Sequence, residues 1–269
     1  MRHTRIRGIV IFLSLASALG AEASPFTLDP IGDAALIGGG LALYGGSLYL
    51  QSIKPAPSAS DINPASIPFL DRAYPSNPQA TLTTAGDAIS IALAVLPLAL
   101  LPGRQLGDIL SLGVMYGETL ELAYSIDSAL KSTIMRYRPY AYSTTTSADF
   151  SVADIASSFP SANTSLAFSA AVFSGYVFDA LYPDSSMKAL VWASGLGVAT
   201  AVSVLLVAGG DHFISDAVAG AAIGAASGFL VPFFHEHLHA IKTRSSDAVS
   251  SIEIEPSFGG IAARLSLRP

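Results

Sequence analysis

The sequence predicts an all-α protein, a membrane-embedded bundle of about six transmembrane helices followed by a short polar tail. Charged residues make up only 13% of the 269 residues, against about 25% in ordinary soluble proteins. Hydrophobic residues make up 51%. Several apolar runs approach the roughly 20 residues that a helix needs to cross a bilayer. A membrane β-barrel would instead show shorter segments of alternating polarity.

Composition also excludes several classes of function. The net charge is −6, and no basic tract suggests nucleic-acid binding. The chain contains no cysteine, which excludes disulfides, thiolate metal sites and cysteine nucleophiles. Its length suits one membrane bundle better than two domains.

Residues 1–23 have the pattern of a secretory signal. Three arginines lie within the first seven residues, an apolar stretch covers 9–19, and Ala-Glu-Ala at 21–23 fits a cleavage site. An uncleaved N-terminal anchor is the alternative. We favour cleavage because the apolar stretch is short for a membrane span.

Six further apolar segments follow, several of them rich in glycine and alanine. They cover 31–51, 84–102, 107–127, 163–182, 187–208 and 214–233. Small residues allow close helix packing in membranes. We therefore divide the chain into a first span with a polar loop (24–83), a membrane core (84–233) and a polar tail (234–269). Alternating residues around Pro256 suggest a β-hairpin in the tail.

Ionisable residues at the ends of the apolar segments are the candidates for function, because burying charge in a bilayer is costly. Two clusters of such residues stand out, Lys131 with Arg136 and Arg138, and His212 with Asp216. The polar turn 159–164 lies between them in the sequence and is the third candidate.

In order and spacing, these clusters resemble the three motifs of the type 2 phosphatidic acid phosphatase (PAP2) family. The first motif is Lys, six residues, then Arg-Pro, which Lys131 and Arg138 match together with the following proline. The third motif ends in His, three residues, then Asp, which His212 and Asp216 match. The resemblance covers roughly 84–233. Vanadium haloperoxidases share this pocket, but their large soluble architecture does not fit so apolar a chain.

The resemblance implies a phosphatase of lipid phosphates or isoprenoid diphosphates that needs no cofactor or metal and works in the bacterial inner membrane. His212 would be the nucleophile that forms a phosphohistidine, with Asp216 four residues on along the same helix face to hold the ring. Lys131 and Arg138 would neutralise the phosphate oxygens. Ser161, at a helix start, would add a hydroxyl and helix-terminal N–H groups.

Two residues depart from the family pattern. The second motif is Pro-Ser-Gly-His, but Asn163 stands in the histidine's place, and an amide cannot deliver a proton. Leu206 stands where the third motif has arginine. Losing a general acid lowers the rate by about 10²–10⁴. Losing an electrostatic donor lowers it by about 10²–10³. Two hypotheses follow: an enzyme, aided by the good leaving group of a diphosphate, or a pseudoenzyme that binds lipid phosphate or has a structural role.

Two further groups of ionisable residues lie outside these motifs. A run of three histidines at 235–239 has no nearby ligands to complete a metal site, so no metal is predicted. Three acidic residues lie in or near the third apolar segment: Glu118, Glu121 and Asp127. They either line a polar pathway or face the bundle interior beside Lys131, and we favour the second interpretation.

Overall fold

The computed structural model describes residues 24–55, 62–75, 77–143, 154–257 and 260–267, with side chains as far as residue 237. The predicted signal at 1–23 lies outside these ranges. The described chain contains six long helices: α1 (Pro30–Ile53), α2 (Ala80–Ala94), α3 (Leu106–Thr133), α4 (Ala162–Leu181), α5 (Lys188–Ala208) and α6 (Ile214–Ala248).

The six helices agree with the predicted number, and the chain is an integral membrane protein. Five are long and apolar enough to cross a membrane: α1, α2 with its extension to Leu100, α4, α5 and α6 as far as His237. Helix α3 is the exception because it carries several charged residues. Two of them, Glu118 and Asp127, are buried in the bundle as predicted, so α3 directs polar groups inward.

Local sequence signals explain several helix ends. Asp29 caps α1 by accepting a hydrogen bond from the Gly32 N–H at 3.1 Å, and proline occupies the first helical position. Ser161 caps α4 in the same way through the Thr164 N–H. After α6, β1 (Val249–Ser257) and β2 (Gly260–Leu267) pair antiparallel, where the alternating tail suggested a hairpin.

Helix α4 is the centre of the bundle and packs against α2, α3, α5 and α6. Small residues form the closest part of its seam with α6. Gly220, Gly224 and Gly228 of α6 face Ser161, Ser165 and Ser169 of α4. A Cβ on any of the three glycines would come within 3.0 Å of a serine carbonyl oxygen. The two backbones are therefore in direct contact, as small residues permit in membranes.

We expect Gly224→Ala to destabilise the protein, because the added methyl group meets the backbone of Ser165 rather than a movable side chain. Overpacking of this kind costs about 1–3 kcal/mol. Gly113→Ala is the matched control, since a Cβ at Gly113 has nothing within 4 Å. Thermal unfolding in detergent should show a lower Tm for Gly224→Ala alone. Equal Tm values for the two variants would contradict the close backbone contact between α4 and α6.

Candidate active site

The predicted site residues come together at one end of the bundle. The Ser161 N–H at the start of α4 donates to the Asp216 carbonyl in the first turn of α6 at 3.0 Å. Arg138, which follows α3, places its Nη1 3.2 Å from His212 Nε2. Residues far apart in sequence are thus joined by direct hydrogen bonds.

His212 lies in the tight turn between α5 and α6. Gly210 has a φ of +80°, a conformation that favours glycine. The N–H groups of Asp211 and His212 donate to the Leu206 carbonyl at 3.1 and 3.4 Å. These contacts anchor the turn to the end of α5 and leave the imidazole only 3% exposed.

The two ring nitrogens of His212 face different groups. Nε2 lies 3.2 Å from Arg138 Nη1 and 3.2 Å from Asp211 Oδ2. Nδ1 faces Asp216 Oδ2 at 3.7 Å, which is longer than a hydrogen bond. Burial lowers the pKa of His212, and the positive charges of Arg138 and Lys131 act in the same direction, while Asp216 and Asp211 oppose them. The environment therefore favours the neutral ring, in which one nitrogen keeps a lone pair.

Asp216 is fixed by three donors. Its Oδ1 accepts a hydrogen bond from Arg136 Nη1 at 2.5 Å. Its Oδ2 accepts from the Ser158 hydroxyl at 2.5 Å and from the Phe213 N–H at 2.9 Å. With every oxygen occupied, the carboxylate has a single orientation, towards the ring of His212.

Arg136 bridges two buried carboxylates. Its second arm donates from Nη2 to Asp71 Oδ2 at 2.6 Å. Asp71 also accepts from Ser215, from the N–H at 3.0 Å and from the hydroxyl at 2.7 Å. The sequence indicated Arg136 only as one of a basic cluster. Nothing in the sequence pointed to Asp71, which lies in a loop 65 positions away.

Arg138 is already paired with acids of the chain itself. Its Nη1 donates to Asp211 Oδ2 at 2.6 Å, and its Nη2 donates to the Asp154 carboxylate. Its Nε donates to the Asp154 carbonyl at 3.1 Å. Two carboxylates therefore sit on the guanidinium that the family resemblance assigns to a substrate phosphate. The motif pattern gave no sign of either acid.

Lys131 lines a polar cavity of about 440 Å³ beside this group. Its Nζ donates to the Ser157 carbonyl at 2.6 Å. A second lysine, Lys54 at the end of α1, lines the same cavity and donates to the Lys131 carbonyl at 2.8 Å. The sequence analysis did not identify Lys54. The cavity also reaches Asp154, so it opens towards the acid that covers Arg138.

The two departures from the family pattern have structural consequences. Asn163 donates from Nδ2 to Asp87 Oδ1 on α2 at 2.5 Å. Leu206 is fully buried among aliphatic side chains. Helix α2 approaches it so closely that a Cβ at Gly86 would lie 3.0 Å from a Leu206 methyl carbon. Apolar packing therefore fills the place where the family pattern has a guanidinium.

Removing Arg136 should destabilise the protein strongly, because Arg136→Ala leaves Asp216 and Asp71 charged, buried and without their cation. Breaking a buried pair in this way costs about 3–5 kcal/mol. Arg72→Ala, at an exposed arginine beside Asp71, is the control. Thermal unfolding in detergent should show a large drop in Tm for Arg136→Ala only, and similar Tm values for both variants would refute the bridge.

Comparisons with known proteins agree with the sequence resemblance. Residues 112–239 match the family model of the PAP2 superfamily, which confirms the predicted resemblance over that stretch. The chain is similar to the crystal structure of a transmembrane PAP2-type phosphatidylglycerolphosphate phosphatase from Bacillus subtilis. The identity is 21% and the TM-score is 0.46, over 87% of this chain and 96% of that chain. No curated protein matches the sequence.

Proposed function

We propose that this protein, whose membrane core belongs to the PAP2 superfamily, is a phosphatase of lipid phosphates or isoprenoid diphosphates that works through a phosphohistidine. The observation that carries the proposal is the setting of His212. Its Nε2 is 3.2 Å from an arginine, and its Nδ1 faces a carboxylate that is held rigidly in place. The bacterial inner membrane stays the predicted location.

The proposed first step is attack by the Nε2 lone pair of His212 on phosphorus, which breaks the bond between phosphorus and the leaving oxygen. The ring becomes positively charged, and Asp216 stabilises that charge from the Nδ1 side. Water then attacks the phosphohistidine, the P–N bond breaks, and inorganic phosphate leaves. His212 returns to its neutral form.

Substrate binding in this proposal is an exchange of anions on Arg138. The phosphate oxygens replace the carboxylates of Asp154 and Asp211 and accept the same N–H donors. Asp154 is suited to leave, because 51% of its side chain is exposed. Lys131 and Lys54, which line the adjacent cavity, add positive charge on the route to Arg138.

An apolar groove beside the site supports a lipid substrate. It has a volume of about 680 Å³ and is lined mainly by residues of α5 and α6. Ile214, which lies two residues after His212, forms part of its wall. A chain of an isoprenoid or acyl lipid held in this groove would keep its phosphate near the turn that carries His212.

The leaving group decides which substrate suits the site. Asn163 cannot donate a proton to an alkoxide, but the phosphate monoester released from a diphosphate is much less basic and needs less help. The carboxyl group of Asp87, held by Asn163, brings a titratable group to this position. The absence of a proton donor at Asn163 favours an isoprenoid diphosphate, whereas a protonated Asp87 would help a lipid monophosphate.

A second candidate function, a pseudoenzyme that binds lipid phosphate, also has a specific observation in its favour. Arg138 is neutralised by Asp211 and Asp154 before any substrate arrives. With Leu206 in place of the arginine, the site has fewer positive charges with which to displace them. Binding without turnover would follow if the exchange of anions does not bring phosphorus to His212.

Purified protein in detergent should release phosphate faster from isoprenoid diphosphates than from phosphatidic acid, because only the diphosphate provides a good leaving group. His212→Ala should abolish this release. His237→Ala is the matched control, since that histidine is exposed on α6 and far along the helix from the site. Phosphate release is measured for each substrate and variant.

Turnover that survives in His212→Ala would refute the phosphohistidine. Equal rates on mono- and diphosphates would refute the leaving-group argument. If wild-type protein binds lipid phosphate without turnover, and Asn163→His with Leu206→Arg gains activity, the pseudoenzyme is correct.

The value of kcat/KM should fall as the pH is lowered, with a midpoint below pH 6.5, the ordinary pKa of histidine. Attack requires the neutral ring, and because the pKa of His212 is lowered by burial, the ring becomes charged only below that pH. The measurement is kcat/KM between about pH 5 and 8. The exposed His237→Ala variant should give the same profile, and a midpoint above 6.5 would contradict the role of buried His212.

A further inference from the structure

A second buried polar cluster lies far from His212, towards the other end of the bundle. It joins Asp33 in the first turn of α1, Glu118 in α3 and His235 in α6. His235 is 19 residues beyond Asp216 on the same helix, or about 28 Å along its axis. His235 Nε2 lies 2.8 Å from Glu118 Oε2 and 3.9 Å from Asp33 Oδ1. The cluster therefore plays no part in the proposed reaction.

The hydrogen bonds of His235 show what the cluster lacks. Its Nδ1 is 3.0 Å from the Thr27 carbonyl oxygen, which can only accept, so this nitrogen carries a hydrogen. Its Nε2 points at two carboxylates, which also only accept. A neutral imidazole has one N–H, already used on Thr27. The Nε2 side therefore needs a positive charge, either a second proton or a metal ion.

Glu118 favours the metal ion. The residue is 2% exposed, and its Oε1 is buried with no hydrogen-bond partner among the described residues. The salt bridges that Asp33 and Glu118 make with described residues both involve His235. A protonated His235 would balance only one of the two carboxylates and would leave Oε1 unpaired. A divalent cation balances both charges and can ligate a carboxylate oxygen.

We propose that Asp33, Glu118 and His235 bind a divalent transition-metal ion, and that Zn²⁺ suits them best. One imidazole nitrogen with two carboxylate oxygens is a ligand set that zinc accepts, with a fourth position left for water. The Thr27 carbonyl accepts a hydrogen bond from Nδ1–H and so orients the ring. Metal-bound histidines commonly donate their other ring N–H to an acceptor in this way.

The geometry needs only small shifts, because the Nε2–Oε2 distance of 2.8 Å must lengthen and the Nε2–Oδ1 distance of 3.9 Å must shorten. The three ligand atoms lie within 4.8 Å of one another, whereas tetrahedral zinc with bonds of about 2.0–2.2 Å separates its ligands by about 3.3 Å. Asp33 is the residue that moves, because it is only half-buried and sits in the first turn of α1. The ion would then tie α1, α3 and α6 together.

The test is the metal content of full-length protein, purified in detergent, stripped with a chelator and dialysed against Zn²⁺. We expect about one zinc per chain by mass spectrometry, and a Tm that rises with Zn²⁺ because the ion binds the folded state. His235→Ala and Glu118→Gln should lower zinc affinity at least about 100-fold. Each change removes a ligand, and even residues that only orient a ligand contribute about 10–100-fold to metal affinity. His237→Ala, an exposed histidine two residues along, should bind zinc like the wild type.

Absence of bound zinc in the wild type would overturn the proposal and leave His235 as a protonated partner of Glu118. Zinc retained by His235→Ala would overturn it too. If His235→Ala and Glu118→Gln do not fold, Asp33→Asn at the rim of the cluster provides the same test. The readout is metal binding, so the result is independent of whether His212 hydrolyses phosphate.

Discussion

Two buried carboxylates, Asp216 and Asp71, share one cation, Arg136, and the order of the candidate active site depends on that arrangement. The guanidinium is planar and offers donors in a fixed fork, so it holds both acids in defined positions. It thereby joins three parts of the chain: the loop before α2, the segment after α3 and the first turn of α6. The direction of Asp216, and through it the environment of the His212 ring, follows from this bridge.

Electrostatic balance within the site is achieved by the chain's own acids. Arg138 is paired with Asp154 and Asp211, and Leu206, where the family resemblance expects an arginine, packs against α2. As a result, carboxylates of the chain occupy both arginines of the site, whereas Lys131 and Lys54 donate to backbone carbonyls. In the proposed reaction, a phosphate would have to displace carboxylates that are already bound to Arg138, which gives a physical reason for slow or selective turnover.

The bundle keeps polar groups at both of its ends by different means. Near His212, the glycine and serine seam between α4 and α6 brings two backbones into contact and fixes Ser161 against Asp216. Towards the other end, α3 carries Glu118 inward to meet His235. Helix α3 can be less apolar than its neighbours because its charged groups face partners within the bundle rather than lipid.

The class of fold can be predicted from the sequence alone, and the sequence also predicts the site residues on which the proposed function depends. Apolar runs of about 20 residues specify membrane helices, since the bilayer sets their length. Motif spacing predicts that Lys131, Arg138, His212 and Asp216 share one pocket, and the four residues lie at the same end of the bundle. Both predictions use patterns that can be read from the sequence, namely the length of an apolar run and the order and spacing of motif residues.

The partners of those residues can be identified only from the three-dimensional structure. Asp71 on Arg136, Asp87 on Asn163 and Asp33 beside His235 are pairs separated by 65, 76 and 202 positions. No periodicity or motif records such pairs, because they arise where helices cross and loops fold back. The two acids beside the His235 ring are far from it in the sequence, yet packing brings Asp33 of α1 and Glu118 of α3 against it. A buried charged group has only the partners that the fold brings to it.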